Sequence, residues 1–249
     1  MLVHHLESLY PPTGWTSMDF FNQRERKLLE AFDGFITSSP YTTAYLQSVQ
    51  LGKKDIITIP PALNFQAKIN REKITPPINI TLVANIIERK GILPFLQSLE
   101  GRKLQNVNIK IIGSPDLSPD YSQKCAALWQ GSTTVEFLGS LPHRKVIALY
   151  ENTDLFLSTS FMETYGMAIQ EAAAHGIPLL LLDGGNVKNH LQNGNGFLCN
   201  TMEEIIDAIE HLSHDITPLN RAKQKAALLA QKEYWTWEKA ALVLYTHLL

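Results

Sequence analysis

From residue 78 onward, short runs of β-branched and leucine residues alternate with longer stretches whose apolar side chains return every three or four positions. The first pattern belongs to strands with little polar face, and the second to helices with one buried stripe. Together they predict strands over 79–84, 108–112, 134–138, 154–158, 178–182 and 196–199. They predict helices over 91–99, 121–130, 144–152, 167–175, 202–213 and 220–231. Strands that alternate with helices in this way make an α/β fold with a doubly wound parallel sheet. The longest apolar run, from Ile177 to Leu182, is followed by Asp183 and is far short of a membrane span, which needs about 20 residues. It reads as a strand buried on both faces.

The first 62 residues follow the same rhythm for a shorter distance. A strand at 2–4, a helix over 20–32, a strand at 34–37, a helix over 41–49 and a strand at 56–59 amount to about half of a Rossmann unit. A strand already under way at Leu2 leads us to expect that part of this domain is missing upstream. Residues 63–77 are polar and charged, end in Pro76-Pro77, and read as a linker. The expected organisation is a partial N-terminal Rossmann-like domain over 1–62, the linker over 63–77, a complete Rossmann-like domain over 78–217, and C-terminal helices over 218–249, the last at 235–247.

Composition narrows the function classes. The chain has 249 residues, 45% hydrophobic and 18% charged, which is enough apolar material for one or two cores. A net charge of -2 gives no electrostatic footprint for nucleic acid. The two cysteines, Cys125 and Cys199, are far apart and in no metal-ligand spacing, so a reducing compartment is the default. The N-terminus has no charged head and cleavage site of a secretory signal. The expected location is the cytoplasm, with peripheral contact to the inner face of a membrane left open.

The chemistry concentrates after the predicted strand 154–158. Ser158-Thr-Ser-Phe-Met-Glu-Thr-Tyr-Gly-Met-Ala-Ile-Gln-Glu-Ala-Ala-Ala-His-Gly-Ile-Pro178 runs from a buried strand through a polar loop and Gly166 into a helix. In open α/β sheets ligands sit at the carboxyl ends of strands, where free N–H groups and the helix dipole favour an anion such as diphosphate. Glu163 in the loop and Glu171 about a turn into the helix are carboxylates that can accept hydrogen bonds from a ribose or sugar diol. The plainer reading is an acidic pair that complements the helix dipole. A second loop, Asn85-Ile-Ile-Glu-Arg-Lys-Gly91, places Arg89 and Lys90 at another strand's carboxyl end, where a cation neutralises charge on a leaving diphosphate. The plainer reading there is a solvated basic loop.

The first of these stretches resembles the group-one, family-four glycosyltransferases, which have the GT-B fold. Glu163 and Glu171 match that family's E-x7-E motif within its S-x-x-E-x-x-G-x-x-x-x-E-A-x-x-x-G-x-P frame. The resemblance implies that Glu171 binds the ribose of a nucleotide and Glu163 lies by the donor sugar. It implies backbone contacts to sugar and diphosphate from Thr164, Tyr165 and Gly166. Lys90, in the K-G step, matches the family's phosphate-binding lysine. An arginine usual about five residues earlier is replaced here by Asn85, and Arg89 is the candidate for the second charge.

Further segments resemble the same family. Val135-Glu-Phe-Leu-Gly139 looks like its loop near the nucleotide base, and Lys110-Ile-Ile-Gly113 like its second strand and glycine. An ordinary strand-to-helix turn explains Gly113 and Gly139 equally well. Gly184, Gly185 and Gly194-Asn-Gly-Phe197 resemble the closing loops, but Lys188, Asn189 and His190 stand where a glutamate often follows. Leu2-Val-His-His5 looks like the strand ending in a histidine near the donor sugar, with His4 the better match; a structural histidine is the alternative. Ser38-Ser39 and the helix after them look like the last strand and helix of the acceptor-side domain.

The resemblance implies transfer of a hexosyl-type sugar from a nucleotide-diphosphate sugar to an acceptor hydroxyl with retention at the anomeric carbon. Catalysis would be mostly positioning and charge stabilisation. No D-x-D motif, zinc pattern, G-x-G-x-x-G fingerprint, P-loop or Gly-x-Ser-x-Gly elbow occurs, so neither a metal nor a resident cofactor is expected. The acceptor, whether carbohydrate, lipid or small molecule, is not legible. A non-catalytic or partner-dependent nucleotide-sugar-binding module is the alternative, with a homo-oligomer or a second chain covering the incomplete domain. A nucleotide-sugar epimerase on the same fold is a third, less favoured reading.

Overall fold

The computed structural model describes residues 1–63, 73–102, 104–129, 134–231 and 235–248. Most of the expected linker, residues 64–72, lies outside them, as does position 130 at the end of one predicted helix. The chain divides into two compact units: Met1–Phe65 with Met162–Gly166 and Tyr234–Leu249, and Gln66–Phe161 with Met167–Glu233.

The first unit holds β1 (Leu2–Val3), α1 (Ser17–Phe20), α2 (Arg26–Glu30), β2 (Gly34–Thr37), α3 (Pro40–Ser48) and β3 (Asp55–Thr58). Its three strands are parallel in the order β1-β2-β3. Val3, Leu6, Phe21, Leu29, Phe35 and Leu46 form its core. The helix expected over 20–32 starts earlier, at Ser17. Thr16 caps it by accepting the Asp19 N–H, and Phe21–Glu25 between α1 and α2 is a π-helical turn. Glu25 accepts the Glu7 N–H at 2.7 Å, which ties this turn to the chain before it. Ser39 caps α3 in the same way as Thr16, with Pro40 at the first helical position.

The second unit carries β4 (Ile78–Val83), α4 (Ile92–Leu99), β5 (Val107–Ile112), α5 (Pro119–Trp129), β6 (Val135–Gly139), α6 (His143–Tyr150), β7 (Leu155–Ser158), α7 (Met167–Ala174), β8 (Leu179–Leu182), β9 (Gly196–Cys199), α8 (Met202–His214) and α9 (Thr217–Ala230). The last helix, α10 (Trp237–Leu248), belongs to the first unit, where His247 Nε2 meets Asp55 Oδ2 at 2.7 Å. The six strands of the second unit are all parallel, in the order β6-β5-β4-β7-β8-β9.

Alternation along these strands builds two cores, one on each face. Ile78, Ile80 and Leu82 of β4 pack with Ile109, Ile111, Leu155, Leu157, Leu180 and Leu182 under α4, α5 and α8. Leu179 and Leu181 face the other way, with Phe156, Val146 and Tyr150 of α6 and Ile169 and Ala172 of α7. The unbroken leucine run of β8 therefore has no polar face because both of its faces are covered. Each leucine fully buried there contributes about 1.5–3 kcal/mol over its exposed state.

Candidate active site

The strand order places a topological switch point between β4 and β7. From β4 the chain proceeds outward through β5 and β6, and from β7 outward in the opposite direction through β8 and β9. At such a point the loops leaving the carboxyl ends of the two central strands diverge and open a crevice for a ligand. The loop leaving β4 carries Arg89 and Lys90, and the chain leaving β7 carries Glu163, Thr164, Tyr165 and Gly166.

These loops are joined through their main chains. Thr159, just past β7, donates from Oγ1 to the Lys90 carbonyl at 2.7 Å, and the Phe161 N–H donates to the Arg89 carbonyl at 3.0 Å. Gly91 follows at φ +66°, in left-handed backbone, and a Cβ there would run into the Thr159 carbonyl. Only glycine meets both demands cheaply. Lys90 and Arg89 are both half-buried, and they close the short 3-10 turn Glu88–Lys90 that leads into α4. The basic pair is thus held at the carboxyl end of β4 against the strand end at β7.

Asn85 takes no cationic role. It is exposed, and its Oδ1 accepts the Ser114 N–H at 3.4 Å, bracing the loops after β4 and β5. Gly113 belongs to the same contact, since a Cβ on it would collide with the Ala84 carbonyl. That close approach by itself accounts for a glycine. Gly139, at the end of β6, has φ +69° and open space where a Cβ would stand.

Glu171 lies on α7, and its side chain is 12% exposed. Its Oε1 is 2.9 Å from Nε2 of His143, the first residue of α6, which is 62% exposed. Beneath it, His175 Nδ1 donates to the Glu171 carbonyl at 2.7 Å. Burial pushes the His175 imidazole below its ordinary value, although that bond and the Glu171 charge pull the other way. Tyr150, fully buried on α6, has its phenol pushed well up, first by burial and then by the Glu171 charge. Lys223 of α9, also buried, donates to the Gly176 carbonyl at 3.0 Å and caps the chain leaving α7.

Glu163, Thr164 and Tyr165 are half-buried and Gly166 is buried at φ +95°; all four are counted with the first unit. His4 is exposed just past the end of β1 in that unit. The second unit brings together Arg89, Lys90 and Gly91 with Thr159 and Phe161, and separately Glu171 with His143. No local sequence pattern marks Thr159 or His143, because each acts on a partner far along the chain.

The family model for "Glycosyl transferases group 1" matches residues 64–228. The chain belongs to this family. A D-inositol 3-phosphate glycosyltransferase of Nocardia farcinica is 28% identical over 182 residues, 70% of this chain and 38% of that protein. A second one, of Corynebacterium aurimucosum, is 24% identical over 169 residues, 67% of this chain and 38% of that protein. The chain thus spans about two fifths of the length of the curated relatives it matches. Among solved structures, the sucrose-phosphate synthase of Thermosynechococcus elongatus superposes with a TM-score of 0.78 at 20% identity, over 99% of this chain and 67% of that one. Anabaena HepE in complex with UDP and glucose gives 0.72 at 18%, over 98% and 70%. The fold expected for the group-one family, GT-B-like α/β with Rossmann-like parallel sheets, is the fold found.

Proposed function

We propose that this chain forms the donor-binding part of a retaining glycosyltransferase, which moves a sugar from a nucleotide-diphosphate sugar to an acceptor hydroxyl. The observation that carries the reading is the latch between the Lys90 and Thr159 loops at the β4–β7 switch point. It fixes the main chain at Lys90 at the carboxyl end of β4, with a carboxylate, Glu171, on the helix that follows β7, and so supports reading Lys90 as the diphosphate-binding lysine.

In this reading the Lys90 ammonium and the first-turn N–H groups of α7 stabilise the diphosphate as it leaves. Arg89 supplies a second positive charge. Glu171 accepts hydrogen bonds from the ribose hydroxyls, and Gly139 and Gly113 border the nucleotide. The acceptor hydroxyl attacks the anomeric carbon on the face the diphosphate departs from, so configuration is retained. Its proton passes to the departing diphosphate oxygen as the new glycosidic bond forms and the bond from the anomeric carbon to that oxygen breaks. Glu163 orients the donor sugar, His4 lies beside it, and the main chain of Thr164, Tyr165 and Gly166 contacts sugar and diphosphate; these roles rest on the family resemblance alone. No resident metal or cofactor enters the scheme. UDP, present in the HepE complex, is the first nucleotide to try.

A second reading is favoured by Asn85, whose amide braces a neighbouring loop where an arginine is usual. It makes the chain a nucleotide-sugar-binding module that turns over only with a partner chain or not at all. Calorimetric titration with UDP, ADP, GDP and their glucose conjugates, beside Glu171→Ala, tests both. Binding that the variant loses supports the donor site, and product formation with an acceptor panel then supports the transferase. Binding without turnover supports the module, and no binding at millimolar ligand overturns both.

A further inference from the structure

His143 has no part in the scheme above, yet it is the residue that holds the Glu171 carboxylate. The main chain at Glu171 is fixed by α7 and by the bond its carbonyl accepts from His175. What remains to be fixed is the carboxylate itself, at the end of a three-torsion side chain. His143 Nε2 lies 2.9 Å from Oε1, while Oε2 makes no hydrogen bond among the described residues. A carboxylate has roughly four acceptor positions on its two oxygens, so one contact from an imidazole leaves room for two hydroxyls.

The two partners come from different elements. His143 opens α6 shortly after Gly139 ends β6, and Glu171 sits on α7. Their contact spans 28 positions of sequence. The imidazole therefore sets the carboxylate relative to the loop after β6, independently of α7's own geometry. A side chain immobilised before binding does not lose that freedom on binding, which raises affinity.

We propose that His143 is a positioning residue of the donor site, holding Glu171 in the rotamer whose remaining acceptor positions receive the two ribose hydroxyls of a nucleoside diphosphate. This rests on the reading of Glu171 as the ribose anchor. The imidazole donates from Nε2 and touches neither sugar nor diphosphate. A glutamine amide offers an N–H donor of comparable reach, so His143→Gln keeps the function that His143→Ala removes.

The test is calorimetric titration of the wild-type chain, His143→Ala, His143→Gln and Glu171→Ala with UDP, ADP and GDP, each beside its 2′,3′-dideoxy form. The expected result is a preference for the ribose form of about tenfold or more in the wild type. His143→Ala should lose most of that preference, His143→Gln should keep it, and dideoxy affinity should be equal in all four proteins. If Glu171→Ala loses the preference and His143→Ala keeps it, the ribose reading stands and the positioning role falls. Equal losses for ribose and dideoxy forms in His143→Ala would show a merely structural residue and also overturn the role. A preference that survives Glu171→Ala, or no binding by any of the three diphosphates at millimolar concentration, removes the ribose anchor and this inference with it.

Discussion

Thr159 and Lys90, 69 positions apart, are joined by a 2.7 Å hydrogen bond from the threonine hydroxyl to the lysine carbonyl. Thr159 is 1% exposed, so its hydroxyl is shielded from water, while Lys90 is half-buried. Thr159→Val keeps the shape and removes the donor, leaving the Lys90 carbonyl without it. We expect a loss of about 1–3 kcal/mol in denaturant unfolding, together with weaker nucleotide binding. Unchanged stability would mean that the bond is replaced by water.

Lys90→Ala separates charge from scaffold. The latch uses the carbonyl of residue 90, so Lys90→Ala should keep the bond from Thr159 and cost less stability than Thr159→Val. Diphosphate affinity should fall about tenfold or more, and the fall should shrink as salt rises. Titration with UDP at two ionic strengths reads this out; equal affinity in both proteins would take Lys90 out of the site.

At Gly91 the backbone is left-handed and a Cβ would meet the Thr159 carbonyl. Gly91→Ala should cost about 2 kcal/mol or more, the left-handed strain being at least about 1 kcal/mol of it. Gly139→Ala makes the control, since that glycine also has positive φ but open space around it. A larger loss in the control would place the strain at Gly139 rather than at the latch.

Stability should depend on pH through His175. Its folded-state value is lowered from 6.5 by burial, so below pH 6.5 the unfolded chain binds a proton that the folded chain resists. The contribution is intact above pH 6.5 and is lost as pH falls through the folded value. His175→Gln should flatten that part of the stability curve between pH 7 and pH 5 in urea melts. Parallel curves for the two proteins would show that His175 titrates normally.

Leu181 lies in the middle of β8 with 0% exposure. Leu181→Ala should destabilise by about 2–5 kcal/mol, measured by denaturant unfolding. A loss below about 1 kcal/mol would mean that the sheet face under α6 and α7 closes around the gap.

The six strands of the second unit are legible from their apolar positions: β7 and β8 are buried throughout, while β5 and β6 expose Asn108 and Glu136 beside apolar neighbours. Their order is not. Periodicity tells that Ile80 and Leu155 are buried, but not that they are neighbours across β4 and β7. The helix start at Ser17 lies ahead of the apolar stripe, which begins only at Phe20, and is marked only by the cap spacing of Thr16 and Asp19. The site shows the same division. Glu163, Glu171 and Lys90 stand out by motif. The bonds that place Lys90 and Glu171 come from Thr159 and His143, whose partners lie 69 and 28 positions away. No local pattern records such pairs.

The latch at the switch point is written in main-chain carbonyls at 89 and 90, an atom every amino acid carries. The two latch bonds themselves therefore make no demand on which side chains stand at these positions. A library varied at 85, 89 and 90 with Gly91 and Thr159 held constant can retune the charge presented to an anionic ligand while the loop stays in register.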